Sequence, residues 1–252
     1  MSKVDIYNFY IPKYMELGVG STPNKNLYNY YLDFVLNKKE KKVLEIGYGT
    51  GLLTQPLLNK NINVTAIDKS IESGIFLMKK CNDYILTDNL QVETIDILEY
   101  KPKSKFTTIL ASDDFLIHFL SLHELNLFLN KIAHLLDING EFITDMRNRY
   151  EDELTKLNCY PIYTLDEELD GVKYIRCTSW NNLSDGNIVL VNYKYEELDS
   201  SGRIINSFIR ILRQGKISFE DLRILATKNN LSLSIKNEVD LDCSILQFIK
   251  IK

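Results

Sequence analysis

Cysteine is scarce in this 252-residue chain, and Cys81, Cys159, Cys177 and Cys243 stand far apart with no C-x-x-C pair. That spacing argues against a thiolate metal site and a disulfide framework, and it fits a reduced, cytoplasmic enzyme. Long apolar runs are missing as well. Crossing a bilayer takes about 20 apolar residues, whereas the greasiest stretch, Phe115 to Leu122, is short and broken by His118. The opening residues, MSKVDIYNFY, lack the apolar core of a secretory leader. Blocks of basic residues are absent too: the formal net charge is −4, with Lys and Arg dispersed along the chain. No electrostatic footprint for a phosphate backbone results. We therefore expect no metal, no membrane and no nucleic-acid partner.

Hydrophobic residues make up 45% of the chain, enough for one sizeable core with a modest inserted element. Tyrosines crowd the N-terminal stretch (Tyr7, Tyr10, Tyr14, Tyr28, Tyr30, Tyr31), which is broken by Pro12, Gly18, Gly20 and Pro23. Residues 1–41 read as short helices around a loop, either a lid or a segment packed on the core. Short β-branched runs then alternate with longer helical ones, the pattern of successive βαβ units. Candidate strands are Val43 to Ile46, Asn63 to Ile67, Gln91 to Ile95, Thr107 to Ala111 and Glu141 to Asp145. Before the last of these a helix is expected, with Ser121 and Glu124 as a capping box and Asn139-Gly140 as its stop. From about Gly171 to Arg213 the texture changes to long alternating segments with turn signals at Asp185-Gly186 and Ser201-Gly202, an antiparallel insertion of about three strands within residues 151–213. A helix capped by Ser218 and two final strands complete the chain. Residues 42–150 and 214–252 are thus expected to form a Rossmann-like α/β domain around the 151–213 insertion.

The sharpest motif is Val43-Leu44-Glu45-Ile46-Gly47-Tyr48-Gly49-Thr50-Gly51, a buried strand feeding a glycine loop that opens a helix through Leu52, Leu53, Leu57 and Leu58. Glycine suits a sharp turn that must let a ligand approach the backbone. Leu52 stands where a dinucleotide fingerprint needs its third glycine, and no G-K-[ST] follows, so neither a dinucleotide site nor a P-loop is read here. The next strand ends in Asp68, placed either to bind a ribose diol or to cap the following helix. The third ends in Asp96-Ile97, and the fourth runs into Ala111-Ser112-Asp113-Asp114-Phe115-Leu116-Ile117-His118-Phe119.

The run E-I-G-x-G-T-G-x-L after an apolar strand resembles the first motif of class I S-adenosylmethionine-dependent methyltransferases. That resemblance implies a seven-stranded, mostly parallel sheet with its last strand antiparallel. S-adenosylmethionine would be the cofactor and S-adenosylhomocysteine the product. It assigns cofactor binding to Glu45, Gly47, Gly49, Gly51, Asp68 with its neighbour Lys69, Asp96 against the adenine amino group, Ile97 over the ring, and Ala111. The segment after the fourth strand is similar to F-D-S-L-N-[HY]-L of small-molecule N-methyltransferases of the glycine, sarcosine and nucleotide-amino-sugar kind. Phe115 departs from its serine and Ile117 from its asparagine.

Candidate catalytic residues are therefore His118, as proton acceptor or as a structural histidine, and Asp114. Asp113 and Asp114 suit a substrate ammonium, Arg147 a carboxylate or phosphate, and Tyr14, in the tyrosine-rich lid, the reacting cation. The expected activity is methyl transfer to a small-molecule acceptor, an amine first. The rivals are an enzyme that uses another carbon of the same cofactor, and a cofactor-binding module without chemistry. The insertion is expected to cover the cleft or to make a homodimer contact.

Overall fold

The computed structural model describes residues 24–147, 162–169, 171–182, 188–238 and 243–252. The chain divides into two units, one holding Asn24–Asn148 with Ile217–Lys252 and the other holding Arg149–Lys216.

In the first unit the helix α1 (Lys25–Leu36) begins where Asn24 Oδ1 accepts the Leu27 N–H, and it buries Leu27, Tyr28, Tyr31 and Val35 along one stripe. The chain continues as β1 (Val43–Ile46), α2 (Thr54–Leu58), β2 (Val64–Asp68), α3 (Ile71–Lys80), α4 (Asn82–Leu86), β3 (Leu90–Thr94) and β4 (Phe106–Ala111). After a 3-10 turn at Phe115–His118 come α5 (Leu122–Leu135) and β5 (Leu136–Arg147). The insertion supplies β6 (Ile162–Leu169), β7 (Val172–Asn182), β8 (Ile188–Leu198) and β9 (Ile204–Gly215). The chain returns through α6 (Phe219–Lys228) to β10 (Leu231–Glu238) and β11 (Cys243–Lys250).

The seven-stranded sheet has the order β10-β11-β5-β4-β1-β2-β3. Strands β1 to β5 pair in parallel, and β11 runs antiparallel between β5 and β10. This is the Rossmann-like sheet with an antiparallel last strand that the motif resemblance implies. Side chains alternate across it. Leu44, Ile46, Ile109, Phe142 and Phe248 join one core with α5 and α6, while Val43, Leu110, Ile143 and Ile245 join a second core with α1, α2 and α3. The same alternation puts Glu45 and Asp145 on the side of α1. Strand order reverses between β1 and β4, so the crevice for a ligand lies beyond their carboxyl ends.

Three local expectations are corrected. Helix α5 ends at Leu135, and Asn139-Gly140 lies inside β5, where the register against β4 shifts and Asn139 takes φ 63°. The glycine is required there, because a β-carbon on Gly140 would stand 2.9 Å from the Asp137 carbonyl oxygen. The insertion forms a four-stranded antiparallel sheet, β6-β7-β8-β9, instead of about three strands. Finally, the helix after the glycine loop starts only at Thr54 and is five residues long, with Leu52 and Leu53 still in the turn.

Candidate active site

Gly47, Gly49 and Gly51 have φ of 73°, 52° and 82°, a left-handed region that L side chains rarely enter. The loop is tied down at each glycine. Gly47 N–H donates to the Ile67 carbonyl at 2.8 Å, Gly51 N–H to the Tyr48 carbonyl at 2.8 Å, and Gly49 N–H to Asp68 Oδ2 at 3.0 Å. Phe115 lies against this loop, its Cε2 2.9 Å from where a Gly47 β-carbon would stand. The aromatic ring at the position where the resembling enzymes carry serine thus packs on Gly47, and its partners include Phe119 and Phe128.

Asp68 ends β2 with its Oδ2 accepting the Gly49 N–H and its Oδ1 the Ser70 N–H at 2.9 Å. The alternative role as helix cap falls away. Ser70 caps α3, its Oγ accepting the Ser73 N–H. A carboxylate has about four lone-pair sites, so Asp68 keeps acceptor capacity beyond these bonds. Burial raises its carboxyl above the ordinary value, opposed by these N–H donors and by Lys69 beside it. The end of β3 is joined to the same place by the Ile95 N–H on the Asp68 carbonyl at 2.8 Å. Beyond it Asp96 is exposed, its Oδ1 accepting the Leu98 N–H, and Ile97 is buried.

Glu45 is only 2% exposed, and its Oε2 has no hydrogen-bond partner among the described residues. Burial pushes its carboxyl up to about 8, and the Asp68 and Asp113 carboxylates nearby push in the same direction. The carboxyl ends of β1, β2 and β4 therefore gather several acids around one crevice, and a cation would relieve that repulsion.

At the end of β4 the turn takes an uncommon form: Asp113 and Asp114 both adopt φ 62°. Aspartate is among the few non-glycine residues that visit this region, and then normally as a single residue. Asp145, 1% exposed near the end of β5, offsets the strain. Its Oδ1 accepts the Asp113 N–H at 2.9 Å and its Oδ2 the Asp114 N–H at 2.8 Å. The Tyr31 hydroxyl of α1 also donates to Asp145 Oδ1 at 2.6 Å and lies 3.2 Å from the Ala111 carbonyl. Tyr28, one turn earlier, donates to Asp113 Oδ2 at 2.7 Å. Asp114 is buried, with Oδ1 accepting the Arg147 N–H at 3.3 Å, whereas Asp113 is exposed.

The candidates thus fall into groups. Glu45, the three glycines, Asp68, Ala111, Asp113 and Asp114 come together at the crevice. Arg147 is exposed at the end of β5, and its charge acts on Asp113. His118 is exposed, with its ring edge-on to Phe115 at 6.0 Å between centroids. Lys69 is exposed beside Asp68. Tyr14 lies outside the described residues, as do Tyr7 and Tyr10. Tyr28, Tyr31 and Asp145 are absent from the candidates named on the sequence. A usable signal existed, since the fifth strand carries an acid near its end just as the second does. Among the described residues no group of three or more His, Cys, Asp or Glu could hold a metal ion, and no helix is long and apolar enough to cross a membrane.

A family model described as a methyltransferase domain matches residues 43–177. Ribosomal RNA small subunit methyltransferase A of Wigglesworthia glossinidia brevipalpis is 32% identical over 93 residues, covering 37% of this chain and 34% of that protein. An uncharacterized methyltransferase of Bacillus cereus (strain 03BB102) is 30% identical over 116 residues, covering 46% of this chain and 51% of the relative. The chain thus spans about half or less of the length of these curated relatives. Among solved structures, S-adenosylmethionine-bound CalS10 from Micromonospora echinaspora, an amino pentose methyltransferase of calicheamicin biosynthesis, superposes with a TM-score of 0.77. It shares 10% identity, and the match covers 97% of each chain.

Proposed function

The chain belongs to the methyltransferase-domain family, and from that premise we propose that it transfers a methyl group from S-adenosylmethionine to an amine of a small molecule, with S-adenosylhomocysteine as the second product. The observation that carries this reading is the crevice itself. A positive-φ glycine loop, a carboxylate with acceptor capacity to spare and a buried glutamate with an orphan oxygen stand around one cluster of acids. These residues fit the cofactor. Asp68 would accept from both ribose hydroxyls, Asp96 from the adenine amino group beside Ile97, and Glu45 from the aminoacyl ammonium, with the glycines leaving room for the nucleoside.

When bound, the cofactor supplies an electrophilic methyl group on a sulfonium. The chain's own part is to hold the acceptor, exclude water and take a proton. Asp113, exposed at the crevice and steadied by Tyr28, holds the amine and accepts its proton; Arg147 and His118 extend the polar rim toward the rest of the acceptor. Displacement at a methyl carbon needs alignment more than strong base, so a carboxylate suffices for an amine delivered neutral.

A small acceptor is favoured over nucleic acid because the chain carries a formal net charge of −4 and its crevice is acidic, which repels phosphate. The amino pentose methyltransferase that shares the fold supports an amine. Isothermal titration with S-adenosylmethionine and S-adenosylhomocysteine tests the reading, with Asp68→Ala as control. Micromolar binding, weakened about tenfold or more by the substitution, followed by a mass gain of one methyl on an amine acceptor, is the expected result. No binding of either compound to the wild-type protein overturns the proposal.

A further inference from the structure

The turn that carries Asp113 is held in large part by residues far along the chain. Two successive non-glycine residues take φ 62° there; the Ile117 N–H closes the turn locally on the Asp114 carbonyl, while the acceptor for both turn N–H groups comes from far along the chain. Asp145, 32 residues from Asp113, takes both N–H groups of the turn with its two oxygens. Tyr31, 114 residues from Asp145, fixes that carboxylate in turn, and Tyr28 fixes the side chain of Asp113. Asp145 is 1% exposed, and its hydrogen bonds run to the turn and to Tyr31. Its Oδ1 takes the Asp113 N–H and the Tyr31 hydroxyl and its Oδ2 the Asp114 N–H, a fork that dictates the turn's orientation.

We propose that Asp145 is a positioning residue: oriented by Tyr31, it grips the backbone of Asp113 and Asp114 so that the Asp113 carboxylate points into the crevice and forms the subsite for the acceptor amine, and for the ammonium that methyl transfer generates on it. The assignment rests on the methyltransferase reading above. It makes α1 part of the active site through two tyrosines one helical turn apart, Tyr28 on the acid that meets the amine and Tyr31 on the acid that aims it. It also separates the roles of the adjacent aspartates: Asp113 faces the ligand, and Asp114, with Oδ1 on the Arg147 N–H, locks the turn to β5.

The test uses the full chain and two probes that differ at the reacting position. Sinefungin carries an amino group where the cofactor has its methyl, and S-adenosylhomocysteine carries nothing there. The ratio of their dissociation constants therefore reads the amine subsite alone. The wild-type protein is expected to prefer sinefungin by about tenfold or more. Asp145→Asn and Asp113→Asn should each bring the ratio to within about threefold of unity while leaving S-adenosylhomocysteine affinity within about threefold of wild type. Tyr31→Phe keeps every charge and removes one orienting bond, and it should reduce the preference by about threefold. A wild-type ratio in Tyr31→Phe, together with a lowered one in Asp145→Asn, would mean that Asp145 acts only through its charge and would overturn the proposal. A full preference retained in both variants overturns it too. Should Asp145→Asn fail to fold, Tyr31→Phe and Asp113→Asn decide the matter. Loss of both ligands in the wild-type protein overturns the methyltransferase reading itself, an outcome distinct from an unchanged ratio.

Discussion

Gly51 turns the loop at φ 82°, and a β-carbon there would stand 2.5 Å from Leu77 Cδ1 on α3. Both costs fall on one substitution. Gly51→Ala should lower stability by about 1–3 kcal/mol, read as a shift of the urea or thermal midpoint. A midpoint equal to wild type would mean that the loop relaxes freely. The three glycines were legible as residues because their reason is local, a strand turning back over its own end. Asp68 was ambiguous in sequence because an acid at a strand end reads equally as a ligand or as a cap, and Ser70 decides between them by taking the cap. Tyr31 and Asp145 were not legible as partners at all. Their bond joins residues 114 apart, and only the order of strands brings α1 against the end of β5.

At the scale of elements, helix α5 follows its sequence signals at one end and departs from them at the other. Its Ser121 Oγ accepts the Glu124 N–H at 3.2 Å, and Glu124 Oε2 reaches back to the Leu120 N–H at 2.8 Å. Such a cap is worth about 1 kcal/mol, so Ser121→Ala should destabilise the protein by that amount in chemical denaturation, and Ser121→Asp should restore most of it. Identical midpoints for the alanine variant and wild type would show the cap to be idle. The other end was misread because Asn-Gly is both a helix stop and a bulge signal. Local chemistry is the same in each case, and pairing with β4 decides in favour of the bulge. Strand β6 was missed for a related reason: Asp166-Glu167-Glu168 breaks the alternation of apolar residues that marks a strand, and the segment is a strand because β7 pairs with it. The order of the parallel strands, by contrast, follows from short apolar runs separated by helices, and it needs no side-chain detail.

For the whole molecule, the gathered acids make stability depend on pH in the sense opposite to an ordinary ion-paired surface. Burial raises the Glu45 carboxyl from 4.5 to about 8 and that of Asp145 from 3.8 to about 7, and Asp68 moves in the same direction. A carboxyl that binds its proton more tightly folded than unfolded stabilises the fold fully below its unfolded pKa, and that contribution is lost as pH rises through the folded value. The ligand-free protein should therefore melt at a higher temperature at pH 5 than at pH 8.5, with the decline spread over the interval between the unfolded and folded values. A cationic ligand reverses the preference, because it favours the ionised carboxylates. Binding of S-adenosylmethionine near pH 7 should release protons, so titrations in phosphate and in Tris should give enthalpies that differ in proportion to the ionisation heats of the two buffers. Replacing Glu45 by Gln should flatten the upper part of the melting profile and reduce the number of protons released. A wild-type melting temperature that rises from pH 5 to pH 8.5, or a binding enthalpy independent of buffer, would show that these carboxyls are already ionised in the empty crevice and that the acids repel one another less than their burial implies.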